Sequence, residues 1–467
     1  MKQPRSVSPR AILVVTAAVL TVVGSPPSRA EEHTARFGVA SPKLAEQRRA
    51  EAGGGRTYGV AAQSPAVKAF TGARVVDGTT AAPIDNATIV VRDGKVVAVG
   101  PAARVTVPAG AERISLVGKT VIPGLVNAHG HVGGTVGLQG NQYSPANVMR
   151  DLRLYADYGV TTVVSLGDDQ APTFALRDSQ RTATLDRARV FAAGPVLAPK
   201  TPDEARKLVA DDQAMKVDIV KIRVDDNLGS TQKMAPEIYQ AVINEAHKRG
   251  MRVAVHLFYL SDAKAVLDAG ADFIAHSVRD VDVDQDLIAM LKRRDVCYCP
   301  TLTREVSTFV YESVPSFFED PLFLKYQDPQ TIAALKEPQR QEAMKKSASA
   351  QRYKAALKVA ETNLKKLSDG GVTIAMGTDT GAPAGRFQGY FELMEMEMMQ
   401  RAGLTPKQVL AAATRDAAKC QKLDREIGTL ESGKWADFVA LDADPLTDIS
   451  NVKKIDSVWI AGNRVTR

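Results

Sequence analysis

Eight short, continuously apolar runs pace the middle of this chain, at 121–128, 161–166, 190–197, 217–224, 251–257, 272–276, 296–300 and 372–377. Between most of them lie stretches of helical periodicity, such as "PEIYQAVINEAHKRG" and "LSDAKAVLDAG". Runs that are apolar throughout, rather than alternating, belong to strands covered on both faces. Eight βα units of this kind predict an α/β fold, a (β/α)8 TIM barrel rather than an open sheet. One connection is too long. Residues 304–350, after the seventh run, carry Phe309, Tyr311, Phe317, Phe318, Phe323 and Tyr326. An aromatic insertion there is a candidate lid, and the alternative is an extra helical pair packed outside the barrel.

The texture changes at both ends. "FTGARVVDG", "NATIVVRDGKVVAVG" and "ISLVGKTVIPG" are β-branched runs separated by Asp-Gly and Gly-Lys turns, and "ADFVALDADP" and "IDSVWIAGNRV" repeat that pattern near the C-terminus. Residues 66–122 and 419–467 are therefore expected to form one small β-sandwich domain around a barrel at 123–418. Residues 31–65 are polar and Ala/Gly-rich and read as a flexible leader.

The first thirty residues read as a signal peptide. Lys2, Arg5 and Arg10 precede an apolar run of 13 residues, and Ser28-Arg29-Ala30 offers a cleavage site. Spanning a bilayer takes about 20 residues, so a retained anchor is the lesser reading. A mature chain starting near Glu31, periplasmic or secreted and without a stable membrane anchor, is expected. The segment holds four positive charges and no negative one, so the formal +7 becomes +3 without it. The basicity is then largely the signal's and gives no reason to expect a nucleic-acid partner. A small-molecule substrate is expected, and a homo-oligomer stays open. Cys297 and Cys299 stand two apart in an apolar stretch, a poor disulfide geometry, and all three cysteines are expected to be buried thiols.

Of the six histidines, His33 lies in the leader and His247 on a polar helix stripe. The other four end predicted strands, where barrel active sites are built. His129 and His131 close "VIPGLVNAHGH", and their spacing of two turns both imidazoles to one side. His256 closes "MRVAVH" and His276 closes "ADFIAH". One such histidine is more often a core residue, but two on consecutive strands beside a His-x-His pair suggest ligands for zinc or a similar ion. Asp379, in "VTIAMGTDTG", ends the eighth run, where a carboxylate can ligate a metal and take a proton from water. Lys221 lies inside "VDIVKIRV", where an unpaired ammonium is costly and the neutral amine is favoured. A neutral lysine can become a carbamate that bridges two metals. The alternatives are a pair with Asp218 or Asp225, or snorkelling from the barrel end.

With these residues in hand, residues 66–467 resemble the amidohydrolase superfamily. "VIPGLVNAHGH", the strand-four Lys, two single His, "GTDTG" and the closing "IGTLESGKWADFVALDADPL" match its pattern in order and spacing. The last is typical of imidazolonepropionase-like and prolidase-like members. The resemblance implies two divalent cations, with zinc the expected ion. His129, His131 and Asp379 would hold the more buried one, His256 and His276 the other, and carboxylated Lys221 would bridge them. A hydroxide shared by the ions would attack the carbonyl, and Asp379 would pass the proton to the leaving nitrogen. Imidazolonepropionases bind one metal and lack the strand-four Lys, so the prolidase-like relatives fit better.

Arg223 shares a strand face with Lys221 and is a candidate for binding a substrate carboxylate. Tyr259 is a candidate donor to the substrate carbonyl. The bland readings are a structural salt bridge and a packed loop tyrosine. The leading expectation is an exported dipeptidase or N-acyl-amino-acid hydrolase. Alternatives are a one-metal cyclic amidohydrolase, a lactone or phosphotriester hydrolase, and an inactive metal- or solute-binding protein.

Overall fold

The two ends of the chain meet in one sheet. In the computed structural model, which describes residues 67–466, strands β1 (Val67–Val75), β2 (Ile84–Arg92), β3 (Lys95–Pro101), β4 (Glu112–Ser115) and β5 (Thr120–Pro123) come from the N-terminal side. The signal and leader expected at 1–65 lie outside the described residues. Asp93 and Gly94, both at positive φ, form the two-residue turn that pairs Arg92 with Lys95.

Strands β14 (Phe438–Leu441), β15 (Ile455–Ile460) and β16 (Asn463–Arg464) complete the order β16-β15-β14-β5-β1-β2-β3, with β4 beside β1. The join is antiparallel, Phe438 opposite Pro123 and Leu441 opposite Thr120. A sandwich of two sheets was expected here, but the strands are one continuously bonded sheet. Phe70 on β1 meets Trp459 on β15 at 4.7 Å between ring centroids. Three strand spacings of about 4.8 Å would hold these strands roughly 14 Å apart in a flat sheet. The sheet therefore curls around its own core of Phe70, Phe438 and Trp459.

The remaining strands are parallel and fall into two sheets. The first runs β6 (Leu125–Gly130), β7 (Val160–Ser165), β8 (Arg189–Ala192). The second runs β13 (Cys297–Tyr298), β12 (Phe273–Ile274), β11 (Val253–Leu257), β10 (Val220–Val224), β9 (Val196–Leu197). Helices connect them, several started by a hydroxyl cap followed by proline, as at Ser144-Pro145 and Thr201-Pro202. The run at 121–128 is split between the curled sheet and the first parallel strand. Gly124 marks the break, because a Cβ there would lie 2.0 Å from Thr161 Oγ1. The run at 372–377 forms no regular strand; Ile374 bridges to Tyr298, and Thr380 beyond it bridges to Gly130, touching both parallel sheets.

A buried ion pair ties the curled sheet to the parallel strands. Arg189 on β8 donates from Nε to Asp437 at 2.7 Å and lies over Trp435 at 4.2 Å, with both charged side chains 3% exposed. Asp437→Ala would leave the guanidinium buried and unpaired, at a cost of about 3–5 kcal/mol. The expected result is a markedly lower urea midpoint in equilibrium unfolding; an unshifted midpoint would refute it.

The insertion is helical. Leu302–Val306, Pro321–Tyr326, Pro329–Leu335 and Pro338–Lys346 are short helices. Its rings form a core: Phe323 packs on Phe387 at 4.9 Å and on Tyr390 at 5.1 Å, and Phe318 stacks on Phe323 at 5.5 Å. The aromatic residues thus anchor the segment to 387–391, while its outer edge borders a groove of about 500 Å³ with 135–139 and 385–388.

The expectation of three thiols is corrected. Cys297 is disulfide-bonded to Cys420, at the end of the helix Arg415–Cys420, and only Cys299 is a free, buried thiol. The partners are 123 residues apart in sequence, so the pairing depends on how the helix returns to the strand. Among the described residues, no helix is long and apolar enough to cross a membrane.

Candidate metal centre

The end of β6 and the segment after the eighth run place three ligand-type side chains around one point. His131 Nε2 is 2.9 Å and His129 Nε2 3.2 Å from Asp379 Oδ1. The Asp379 backbone N–H donates to the His129 carbonyl at 2.7 Å, which brings the two segments together. Only glycine fits at 377, since a Cβ there would lie 2.5 Å from Cys299 Sγ and 2.9 Å from His129. Asp379 itself sits at φ 60°, a left-handed conformation that aspartate tolerates better than most residues.

Lys221 enters from β10. It is 3% exposed, and its Nζ lies 3.2 Å from His129 Nε2. Burial pushes its ammonium down to about 8, against the pull of Asp379. Neither alternative pairing is formed: Asp218 accepts from Arg177 and the Ala192 N–H, and Asp225 contacts His256.

His256 and His276 extend the cluster. Ring centroids are 4.6 Å apart for His129 and His276, and 4.2 Å for His256 and His276. Each outer nitrogen is held: His256 Nε2 by Asp225 at 2.7 Å, His276 Nδ1 by Thr301 at 2.7 Å, and His131 Nδ1 by the Gly167 carbonyl at 3.1 Å. Those contacts fix the rings and leave His256 Nδ1 and His276 Nε2 available as ligands. Burial pushes His129 and His256 down to about 3 and His276 well below its usual value. Neutral imidazoles, one carboxylate and a lysine inclined to neutrality form a donor set suited to divalent cations such as zinc.

A family model described as Amidohydrolase family matches residues 120–465. The chain belongs to the amidohydrolase family. This amidohydrolase is 25% identical over 288 residues to ochratoxinase of Aspergillus niger, covering 59% of the chain and 52% of the relative. It thus spans about half the length of the ochratoxinases it matches. It is 24% identical over 429 residues to a 5-methylthioadenosine/S-adenosylhomocysteine deaminase of Symbiobacterium thermophilum, covering 79% and 85% of the two chains. A putative prolidase from Bifidobacterium longum superposes with a TM-score of 0.70 at 27% identity, over 86% of this chain and 95% of the other. A Xaa-Pro dipeptidase with bound methionine does so at 0.69 and 21%, over 85% and 99%. These matches give the amidohydrolase a TIM-barrel-like fold with an accompanying sheet, and mark it as a hydrolytic enzyme.

Several residues that shape the site carry no signal in the sequence. Arg386, from the loop after Asp379, contacts the second carboxylate oxygen of that residue and is itself buried. Burial alone would raise the Asp379 carboxyl; Arg386 and the two histidines outweigh it and hold it well below the usual range. Asp225 is held low in the same way, by His256 and by the charges of Arg279 and Arg223 against burial.

Behind the site, Glu392 accepts from Asn127 Nδ2 at 2.7 Å and Thr378 Oγ1 at 2.6 Å, and Glu395 accepts the Leu302 and Thr303 N–H groups at 2.7 Å each. Burial raises both to about 7. Their spacing of three within "YFELMEMEMM" places both on one helix face, and that was the available hint.

The two substrate candidates stand further out. Arg223 is partly exposed, lies beside His256 in register, contacts Asn227 and is 3.6 Å from Asp225. The Tyr259 hydroxyl donates to Asp226 at 2.9 Å, with Lys233 over its ring at 3.9 Å, so this donor already has a partner. His247 pairs with Asp272 at 3.0 Å, away from the cluster.

Proposed function

We propose that this amidohydrolase cleaves the amide or peptide bond of a dipeptide or N-acyl amino acid at a two-cation centre. The observation that carries the reading is Lys221, buried within 3.2 Å of His129, which itself belongs to the His129–His131–Asp379 group and lies 4.6 Å from the His276 ring. His129, His131 and Asp379 would hold one ion, His256 and His276 the other, with a carboxylated Lys221 bridging them. We read the two parallel sheets and the 374–380 segment that touches both as one closed (β/α)8 barrel, whose C-terminal mouth holds these residues.

Bound divalent cations supply a Lewis acid for the carbonyl and make water acidic near neutral pH. Asp379 takes the proton from the attacking water while oxygen adds to the carbonyl carbon. As the C–N bond breaks, Asp379 returns the proton to the leaving nitrogen, which departs as the amine. Arg386 keeps that carboxylate oriented through both transfers. Asp225 and Thr301 hold the rings of His256 and His276 from behind.

The putative prolidase likeness supports a peptide-like substrate. The Cys297–Cys420 bridge supports the exported location read from residues 1–30, since such bonds persist in oxidising compartments. Activity should vanish on chelation and return with zinc, manganese or cobalt. The metal-loaded enzyme should then turn over members of a panel of dipeptides and N-acyl amino acids. Turnover that survives exhaustive metal removal would overturn this reading.

A further inference from the structure

Two cavities flank the run at 190–197, one lined by the ligand candidate His131 and the other by Asp225, which holds His256. The first, of about 500 Å³, is lined by His131, Tyr143, Gly167, Asp168 and Pro195. The second, of about 520 Å³, is lined by Val196, Lys200, Arg223, Asp225 and Lys233. Pro195 and Val196 are consecutive, so the two cavities border the same short stretch of chain.

Their charges are opposite. Asp168 follows β7, is exposed, and among the described residues forms no hydrogen bond or ion pair. Its neighbour Asp169 is buried and accepts from the Ala193 N–H at 3.1 Å, so Asp168 is the exposed acidic side chain of the pair. In the second cavity Lys233 pairs with Asp262 at 2.8 Å and Asp225 contacts His256 at 2.7 Å, so Arg223, 3.6 Å from Asp225, and Lys200 are its less closely paired cations.

The spacing suits one kind of molecule. β7 pairs with β8 and β10 with β9, and β8 and β9 belong to one run, so β7 and β10 lie roughly 10 Å apart at two strand spacings. A dipeptide spans about 7 Å between its terminal charges, and a short side chain at each end covers the difference.

Resting on the amide-hydrolase reading above, we propose that Asp168 binds the free α-ammonium group of the substrate and Arg223 its α-carboxylate. The substrate is then a zwitterionic dipeptide laid across the metal ligands, with its N-terminal residue toward β7. An N-acyl amino acid satisfies only the Arg223 end.

The test compares alanyl-amino acids with their N-propionyl counterparts, which differ only in having hydrogen for the α-ammonium group. With the metal-loaded wild-type enzyme, kcat/KM should favour the alanyl member at least about tenfold, the scale of one charge-assisted hydrogen bond. In Asp168→Asn, at unchanged metal content, that ratio should fall by about tenfold. Arg223→Gln should lower kcat/KM for both members and leave the ratio in place. A wild-type ratio near one, or a ratio that Asp168→Asn does not move, overturns the proposal while the amide-hydrolase reading stands. Cleavage of neither member of any pair, by an enzyme that opens a lactone or a cyclic amide, overturns both.

Discussion

Lys221→Ala should reduce bound divalent metal from about two equivalents to one or fewer, and turnover by orders of magnitude. The side chain lies against His129, is almost fully buried, and among the described residues has no carboxylate partner within hydrogen-bonding distance. A structural lysine in such a place would carry a counter-charge, because burying an unpaired ammonium is costly. Burial instead favours the neutral amine, the form that condenses with carbon dioxide to an anionic carbamate. Alanine removes that bridge and opens a space among the ligands, which acetate or propionate should fill and so partly restore activity. Metal analysis with steady-state kinetics, with and without added short-chain acid, decides the matter. A mutant with full metal and near-normal turnover would return Lys221 to an ordinary role. It would also move the enzyme toward a one-metal mechanism of the cyclic-amidohydrolase kind.

Asp379→Asn should lower kcat by about a thousandfold, within the range for loss of a general acid–base group. The substitution keeps the shape of the side chain. It removes the charge that faces Arg386 on one oxygen and His129 and His131 on the other. An amide can neither accept the proton from water nor return it to the leaving nitrogen, and it leaves the buried guanidinium without its partner. The loss should fall mainly on kcat rather than KM, because the group acts on the reacting atoms and not on the substrate's termini. If the variant retains kcat within a few-fold of wild type, the proton passes through another group, and the assignment of Asp379 fails.

How much of this was legible before folding follows from the range over which each feature is determined. The four strand-end histidines, Lys221 and Asp379 stood out because each interrupts or closes an apolar run, and the cost of burying a polar group there is a local property. The two-ended sheet was likewise visible, since β-branched runs and the Asp93-Gly94 turn need only their neighbours to be recognised. The insertion's aromatic residues were equally visible, but whether they covered the mouth or packed beside it depended on Phe387 and Tyr390, far along the chain.

What the tertiary structure decided are the contacts between segments that share no pattern. Arg386 reaches Asp379 because a loop turns back on itself, and Asp225 holds His256 because two strand ends adjoin. Cys297 finds Cys420 because a helix returns to a strand 123 residues away. Asp168 faces a cavity opposite Arg223 because β8 and β9 separate them. The sequence by itself determined which residues are costly to bury and therefore need a reason to be there. It took closure of the chain to determine which of them face one another, because pairing energies depend on distance in space, and that distance is set by the whole fold.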